Sequence, residues 1–230
     1  VFKGPKVVCI VSTMRSGSTL LKSLIATAQD TSDLPEVDFS AFRSTSSWRL
    51  RVLSKAEIVV LKFPRSFRME TYPLLPRGRK LKVIFLVRDV YSTVNSLVKM
   101  IEATGVDSDG EWTKKKLANV YWTSTNQKLL DLKRDASLDI MMVKYEELVD
   151  SPIVVTGQVF KFIGSKTKLG ADTYKKPSKY SWRWGSDDGG EIIKSLKVQK
   201  RSDDEVKEHL QGDFALSQAT IDLRRSLGYH

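Results

Sequence analysis

Residues 7–25 read VVCIVSTMRSGSTLLKSLI: five apolar residues, a short polar loop, then Leu20, Leu21, Leu24 and Ile25 at helical spacing. The loop, residues 12–19, holds small hydroxyl residues, one Gly and one Arg. That is the chemistry of an anion cradle. A helix N-terminus offers unbonded backbone N–H groups and the positive end of the macrodipole. Ser16, Ser18 and Thr19 add hydroxyls, and Gly17 lets the backbone approach a ligand closely. Arg15 supplies a planar fork of N–H groups suited to phosphate or sulfate. Two more basic points follow: Lys62, with Arg65 and Arg68, after the run EIVVL, and Arg88 after the run LKVIFLV. A Ser-capped strand-to-helix turn with no ligand would look much like the loop alone. The functional reading therefore depends on where the other two points lie.

The elements that must position these residues follow from periodicity. Residues 7–11 form a buried strand, and residues 57–61 form a second that Pro64 should stop, leaving Lys62, Arg65 and Arg68 beyond its carboxyl end. Between them, residues 30–57 are a polar connection with Pro35 and a short helical piece near 47–55, the kind of excursion that lines a pocket. Residues 81–87 are apolar on both faces, as a central parallel strand should be. Val94, Leu97, Val98 and Ile101 then mark an amphipathic helix, with Ser92 and Ser96 off its apolar stripe. After a loop at 104–111, a long helix buries Ala118, Tyr121, Trp122, Thr125, Leu129 and Leu132. Residues 139–143 give a fourth strand, and Ser151-Pro152 opens a helix running to about Ile163. A loop rich in Gly, Ser, Lys and Trp spans 164–200, residues 202–205 read as a capping box, and a last helix covers 215–227. The order β-α-β-β-α-α-β-α predicts one α/β domain over residues 1–230, a three-layer sandwich around a mostly parallel sheet. Such sheets bind ligands outside the carboxyl ends of their strands, where Arg15, Lys62 and Arg88 all fall.

Composition narrows the classes. A chain of 230 residues with 41% apolar and 28% charged content is an ordinary folded domain. No stretch approaches the roughly 18 apolar residues of a membrane span. The one cysteine, Cys9, excludes an internal disulfide and a cysteine-based zinc site, and two histidines, His209 and His230, leave too few for a His-rich metal site. The net charge of +11 implies an anionic partner without naming it.

The loop is not that of a nucleoside triphosphatase. That motif, G-x-x-x-x-G-K-[ST], needs a Lys where Ser18 stands and a Gly five residues before Gly17. The strand LKVIFLV ends in Arg88, which suits a second phosphate better than a metal ion, and the dinucleotide fingerprint G-x-G-x-x-G is absent. The loop reads as a P-loop relative that binds a nucleotide without magnesium.

Three stretches together, TMRSGSTLL, LVRDVYSTVNSLV and VKYEELVDSP, resemble the sulfotransferase family. The likeness extends to the closing Leu227-Gly228-Tyr229, so it spans residues 7–229. The resemblance implies a P-loop nucleotide-binding fold and transfer of a sulfonate from 3′-phosphoadenosine 5′-phosphosulfate (PAPS) to an acceptor hydroxyl or amine. It implies that Arg15, Ser16, Gly17, Ser18 and Thr19 hold the 5′ end, and that Arg88 and Ser96 hold the 3′-phosphate. Lys62 matches a Lys that acts on the bridging or sulfonate oxygens. Pro64 stands where many small-molecule members carry a catalytic His, so the general base is expected at Glu36, with Asp38 the near alternative. Lys179, with Lys176 and Arg183, matches a basic late loop at the 3′-phosphate, and Trp48, Trp182 and Trp184 are candidates to stack on adenine. Tyr145-Glu146-Glu147-Leu148 matches a segment read as structural. The acceptor is expected to be a small molecule or glycan, with neither nucleic acid nor metal taking part. One cysteine fits the cytoplasm, and an anchor ahead of Val1 would instead place the chain in the Golgi lumen. A magnesium-dependent nucleotide kinase and a non-catalytic basic anion-binding module remain the rival classes.

Overall fold

The computed structural model describes residues 5–32, 56–67, 81–107, 110–134, 138–175, 196–199 and 213–230. The helical piece near 47–55, the capping box at 202–205, and Arg68 and His209 lie outside them.

Four parallel strands form the sheet: β1 (Lys6–Thr13), β2 (Ile58–Arg65), β3 (Leu81–Val87) and β4 (Asp139–Lys144), in the order β2-β1-β3-β4. The registers are Cys9↔Leu61 between β1 and β2, Cys9↔Val83 between β1 and β3, and Ile84↔Met141 between β3 and β4. β1 and β3 are apolar on both faces because helices cover both. On one side Val7, Cys9 and Val11 meet α2 (Val90–Thr104), α3 (residues 114–133) and α6 (Gln218–Ser226). On the other, Val8 and Ile10 meet α1 (Ser18–Ile25), α4 (Tyr145–Asp150) and α5 (Pro152–Ile163). The result is the expected three-layer α/β sandwich, in which the four described strands are all parallel.

Three local expectations need correction. β2 does not stop before Pro64 but runs on to Arg65, with Ser12↔Pro64 and Thr13↔Arg65 in register. Among the described residues only β1 pairs with this end of β2, and on an outer strand a missing N–H need not cost a ladder bond. Lys62 and Arg65 therefore lie within the strand. The last helix starts later than expected, at Gln218, because Ser217 caps it by accepting the Thr220 N–H at 3.3 Å. Ser92, expected off the apolar stripe, is itself buried.

α3 is a hybrid. A turn at Lys114–Lys116 runs into a π-helical segment, Leu117–Trp122, and then into regular α-helix at Thr123–Lys133. From Leu117 to Asn126 its buried residues come in pairs four apart, Leu117 and Ala118, Tyr121 and Trp122, Thr125 and Asn126, with Leu129 following alone. In a pure α-helix a four-residue spacing drifts around the axis by about 40° per step. The wider π turn rotates less per residue and cancels that drift, which keeps the pairs facing the sheet.

At the amino edge of the sheet, opposite the basic loop, Asp30 ties three segments together. Its carboxylate accepts Ser165 Oγ at 2.6 Å and Lys166 N–H at 2.8 Å, and its carbonyl accepts Ile58 N–H at 2.9 Å. Burial alone would raise the Asp30 carboxyl, but the bonds from Ser165 and Lys166 outweigh it and hold it below its ordinary value of 3.8. A carboxyl lowered in the fold contributes stability above its ordinary value and loses it as pH falls through the folded one. Asp30→Asn is expected to cost about 1–3 kcal/mol at neutral pH. It should also remove part of the stability loss expected as pH falls below 3.8. Urea melts at neutral pH and at pH 3 check both effects; an unchanged acid limb would contradict the assignment.

Candidate active site

The loop between β1 and α1 turns on two left-handed residues, Arg15 at φ 65° and Gly17 at φ 88°. Gly17 is the N-cap of α1, so no side chain caps the first-turn amides, and its carbonyl accepts the Leu21 N–H at 3.0 Å to start the helix. Successive amides in such a turn form a concave anion-binding nest. Arg15 is a non-glycine residue in this region, which costs about 1–2 kcal/mol. Such strain persists only where surrounding contacts over-determine the geometry. Those contacts are present: Thr13 Oγ1 bonds Ser16 Oγ inside the loop, and Met14 N–H donates to Tyr121 Oη at 2.7 Å.

The sheet order brings the separate basic points together. β1 leads outward to β2, whereas β3 leads outward to β4, so the β1/β3 boundary is the topological switch point where α/β sheets open a ligand crevice. Arg15 follows β1 and Arg88 follows β3. Arg88 NH1 reaches the Arg15 carbonyl at 3.3 Å, and Arg15 Nε donates to Ser96 Oγ at 3.0 Å. The loop and the Arg88–Ser96 pair thus form one continuous surface although Arg15 and Ser96 are 81 residues apart. From β2, Lys62 Nζ donates to Thr19 Oγ1 at 2.6 Å, and Lys62 is only 7% exposed. Arg15, Ser16, Gly17, Ser18, Thr19, Lys62, Arg88 and Ser96 therefore converge on one edge. Glu36, Asp38, Lys179, Lys176, Arg183, Trp48, Trp182 and Trp184 lie outside the described residues.

Asp89 and Glu146 hold Arg88 in place from behind. Asp89 caps α2 by accepting the Tyr91 N–H at 3.0 Å, and its other oxygen accepts Arg224 Nε at 2.8 Å from α6. Glu146 accepts the Asp89 N–H at 2.9 Å and the Tyr229 hydroxyl at 2.7 Å. Burial pushes the Glu146 carboxyl up, opposed by those bonds and by nearby Arg88. This network accounts for the structural reading of the Tyr145–Leu148 segment and ties the closing Tyr229 to it.

Tyr145 has a second part that the sequence did not reveal. Its ring lies against Gly17, where a Cβ would meet Cε2 at 2.7 Å, and the Arg88 guanidinium stacks over it at 4.2 Å. Tyr121 and Trp122 were also legible only as core. Tyr121 Oη bonds both Met14 N–H and the Arg65 carbonyl, and Trp122 Nε1 donates to the Arg88 carbonyl at 3.0 Å. A polar atom on each aromatic was the available signal, since buried Tyr and Trp find partners for it.

A nest at a helix N-terminus after β1, a buried Lys beside it on β2 and a second Arg across the switch point on β3 define a P-loop-type α/β protein with its basic groups gathered at one sheet edge. The family model for the sulfotransferase domain matches residues 5–211. The chain belongs to that family, and it is a sulfotransferase. Solved structures share the fold at low identity. The sulfotransferase domain from the curacin biosynthetic pathway is 19% identical with a TM-score of 0.70, covering 100% of this chain and 99% of its own. The sulfotransferase domain of the Synechococcus PCC 7002 olefin synthase is 16% identical at 0.65, covering 100% and 97%. Mouse sulfotransferase SULT7A1, solved with PAP, is 17% identical at 0.54, covering 96% and 88%. No curated protein sequence matches the chain. Among the described residues, no helix is long and apolar enough to cross a membrane.

Proposed function

We propose that this sulfotransferase uses PAPS as donor and a small-molecule or glycan hydroxyl, or an amine, as acceptor. The observation that supports the reading is the Arg15–Ser96 hydrogen bond, which joins the β1–α1 loop and the Arg88–Ser96 pair, the two elements expected to bind anions, into one continuous surface. In this reading Arg15, with Ser16, Gly17, Ser18, Thr19 and the loop amides, holds the 5′-phosphosulfate. Arg88 and Ser96 hold the 3′-phosphate, and Lys179 is assigned to the same phosphate on the resemblance alone.

Sulfonyl transfer is an in-line displacement at a crowded anionic centre, so positioning and charge stabilisation dominate the rate. The acceptor oxygen forms a bond to sulfur as the bond from sulfur to the bridging oxygen breaks. The electron pair leaves on the 5′-phosphate of adenosine 3′,5′-bisphosphate (PAP). Lys62 meets the charge that develops on the bridging oxygen, and Arg15 neutralises the leaving phosphate. The acceptor proton passes to a general base, assigned to Glu36, with Asp38 the alternative. A working site in the cytoplasm suits a chain with one buried cysteine, and the Golgi lumen is the alternative if an anchor precedes Val1.

Thermal stabilisation separates the donor classes, because any ligand that binds only the folded state raises the melting temperature by mass action. PAP at 100 times its Kd should stabilise by about 2.7 kcal/mol, and ATP with magnesium should do little. The reverse order would overturn the PAPS reading in favour of a magnesium-dependent phosphotransferase.

A further inference from the structure

The strands that carry the three cations are all gripped by one helix at one point. Tyr121 Oη accepts the Met14 N–H at 2.7 Å, one residue before Arg15, and donates to the Arg65 carbonyl at the end of β2. The next residue, Trp122, donates Nε1 to the Arg88 carbonyl at 3.0 Å, at the end of β3. One turn on, Ser124 and Thr125 each accept Arg65 NH1 at 2.8 Å. Tyr121 and Trp122 are 1% and 0% exposed, so neither touches a ligand directly. Both lie in the π turn Leu117–Trp122, and π turns inserted in α-helices occur frequently at functional sites. Burial raises the Tyr121 phenol above its ordinary value, which keeps the proton it shares with the Arg65 carbonyl in place.

We infer that the π turn of α3 is a positioning device that sets the two ends of the nucleotide site separately: Tyr121 through its bond to Met14 orients the 5′ cradle, and Trp122 through its bond to the Arg88 carbonyl orients the 3′ cradle. The physical need is clear at Arg15. Its φ of 65° is strained, and the Tyr121 hydroxyl fixes the backbone immediately before it. At Arg88 the carbonyl sets the direction from which the side chain leaves the strand end, and Trp122 Nε1 and Thr93 Oγ1 both bond it. Consecutive residues can serve two different strand ends because the π turn keeps both buried against the sheet. The inference rests on the nucleotide reading above.

Titration calorimetry with PAP, adenosine 5′-monophosphate and adenosine 3′-monophosphate tests it. Tyr121→Phe removes one hydroxyl and leaves Met14 N–H without its partner. It should weaken PAP and the 5′-monophosphate by roughly ten-fold and leave the 3′-monophosphate unchanged. Trp122→Phe removes the donor to Arg88 and should do the reverse, weakening the 3′-monophosphate and sparing the 5′. Leu129→Ala, buried on the same helix, is the stability control. It should lower the melting temperature as much as either variant without changing any of the three affinities. Loss of both monophosphates in equal measure, or a matching loss in Leu129→Ala, would reduce Tyr121 and Trp122 to ordinary core residues. Wild-type-like binding in Tyr121→Phe would also overturn the inference. A wild-type chain that binds none of the three would instead overturn the nucleotide reading beneath it.

Discussion

Replacing Lys62 with Ala is expected to lower kcat by about 10²–10³-fold. PAP binding should change far less. Lys62 is a buried cation held by Thr19, 2.6 Å from its hydroxyl, beside the loop proposed to hold the 5′-phosphosulfate. A charge fixed in a water-poor site needs no reorganisation when charge builds on the bridging oxygen, so it acts more strongly in the transition state than in the ground state. A split between kcat and nucleotide affinity is therefore the expected signature, measured by single-turnover transfer of labelled sulfate alongside PAP titration. Turnover within a few-fold of wild type would leave Lys62 a strand residue that merely supports Thr19. An equal loss in PAP affinity would make it a ground-state binding residue.

Gly17→Ala is expected to damage both stability and the site. At φ 88° any side chain meets left-handed strain of about 1–2 kcal/mol. The added Cβ would also lie 2.7 Å from Tyr145 Cε2 and closer still to Cδ2. Tyr145 is 7% exposed and carries the Arg88 guanidinium over its ring, so it cannot swing away without moving Arg88. Overpacking of this kind adds about 1–3 kcal/mol. Together they predict a loss of about 2–5 kcal/mol, or about 4–20 °C in melting temperature for a chain of this size. Weaker PAP binding should accompany it. In a Tyr145→Ala background the clash disappears and only the backbone strain should remain, which a double-mutant cycle measures directly. A Gly17→Ala protein that melts with the wild type would show that the loop can relax and that Tyr145 does not hold it.

Much of this protein was legible in its residues. The short, mostly apolar runs at 7–11 and 81–87, rich in Val and Ile, read as strands buried on both faces, because a run without alternation has no face to give to water. The strand–loop–helix unit around Arg15 is local, so residue types and spacing defined its chemistry. The eight-residue interval from Arg88 to Ser96 survives in the structure because one helix spans it. Local signals failed where long-range packing outweighed them. Pro64 reads as a strand stop but is tolerated at the outer end of β2, a position that only the sheet order assigns. Tyr121, Trp122 and Tyr145 read as core or structural, which describes their burial but not what their polar atoms and ring faces touch.

By itself, the sequence determined the α/β class, the anion-binding loop, the second Arg at a strand end and the family to which they point. Each of these is carried by a contiguous stretch whose conformation is set by nearby residues. Tertiary structure alone decided that β1 and β3 lie side by side, so that Arg15 reaches Ser96 and Arg88 reaches the Arg15 carbonyl. It also placed Lys62 against Thr19 and a π turn beneath all three strand ends. Strand order follows from which faces the helices between the strands can cover, and no local stretch records that choice. The parts of the site were written along the chain; their meeting was set by the packing of the sheet.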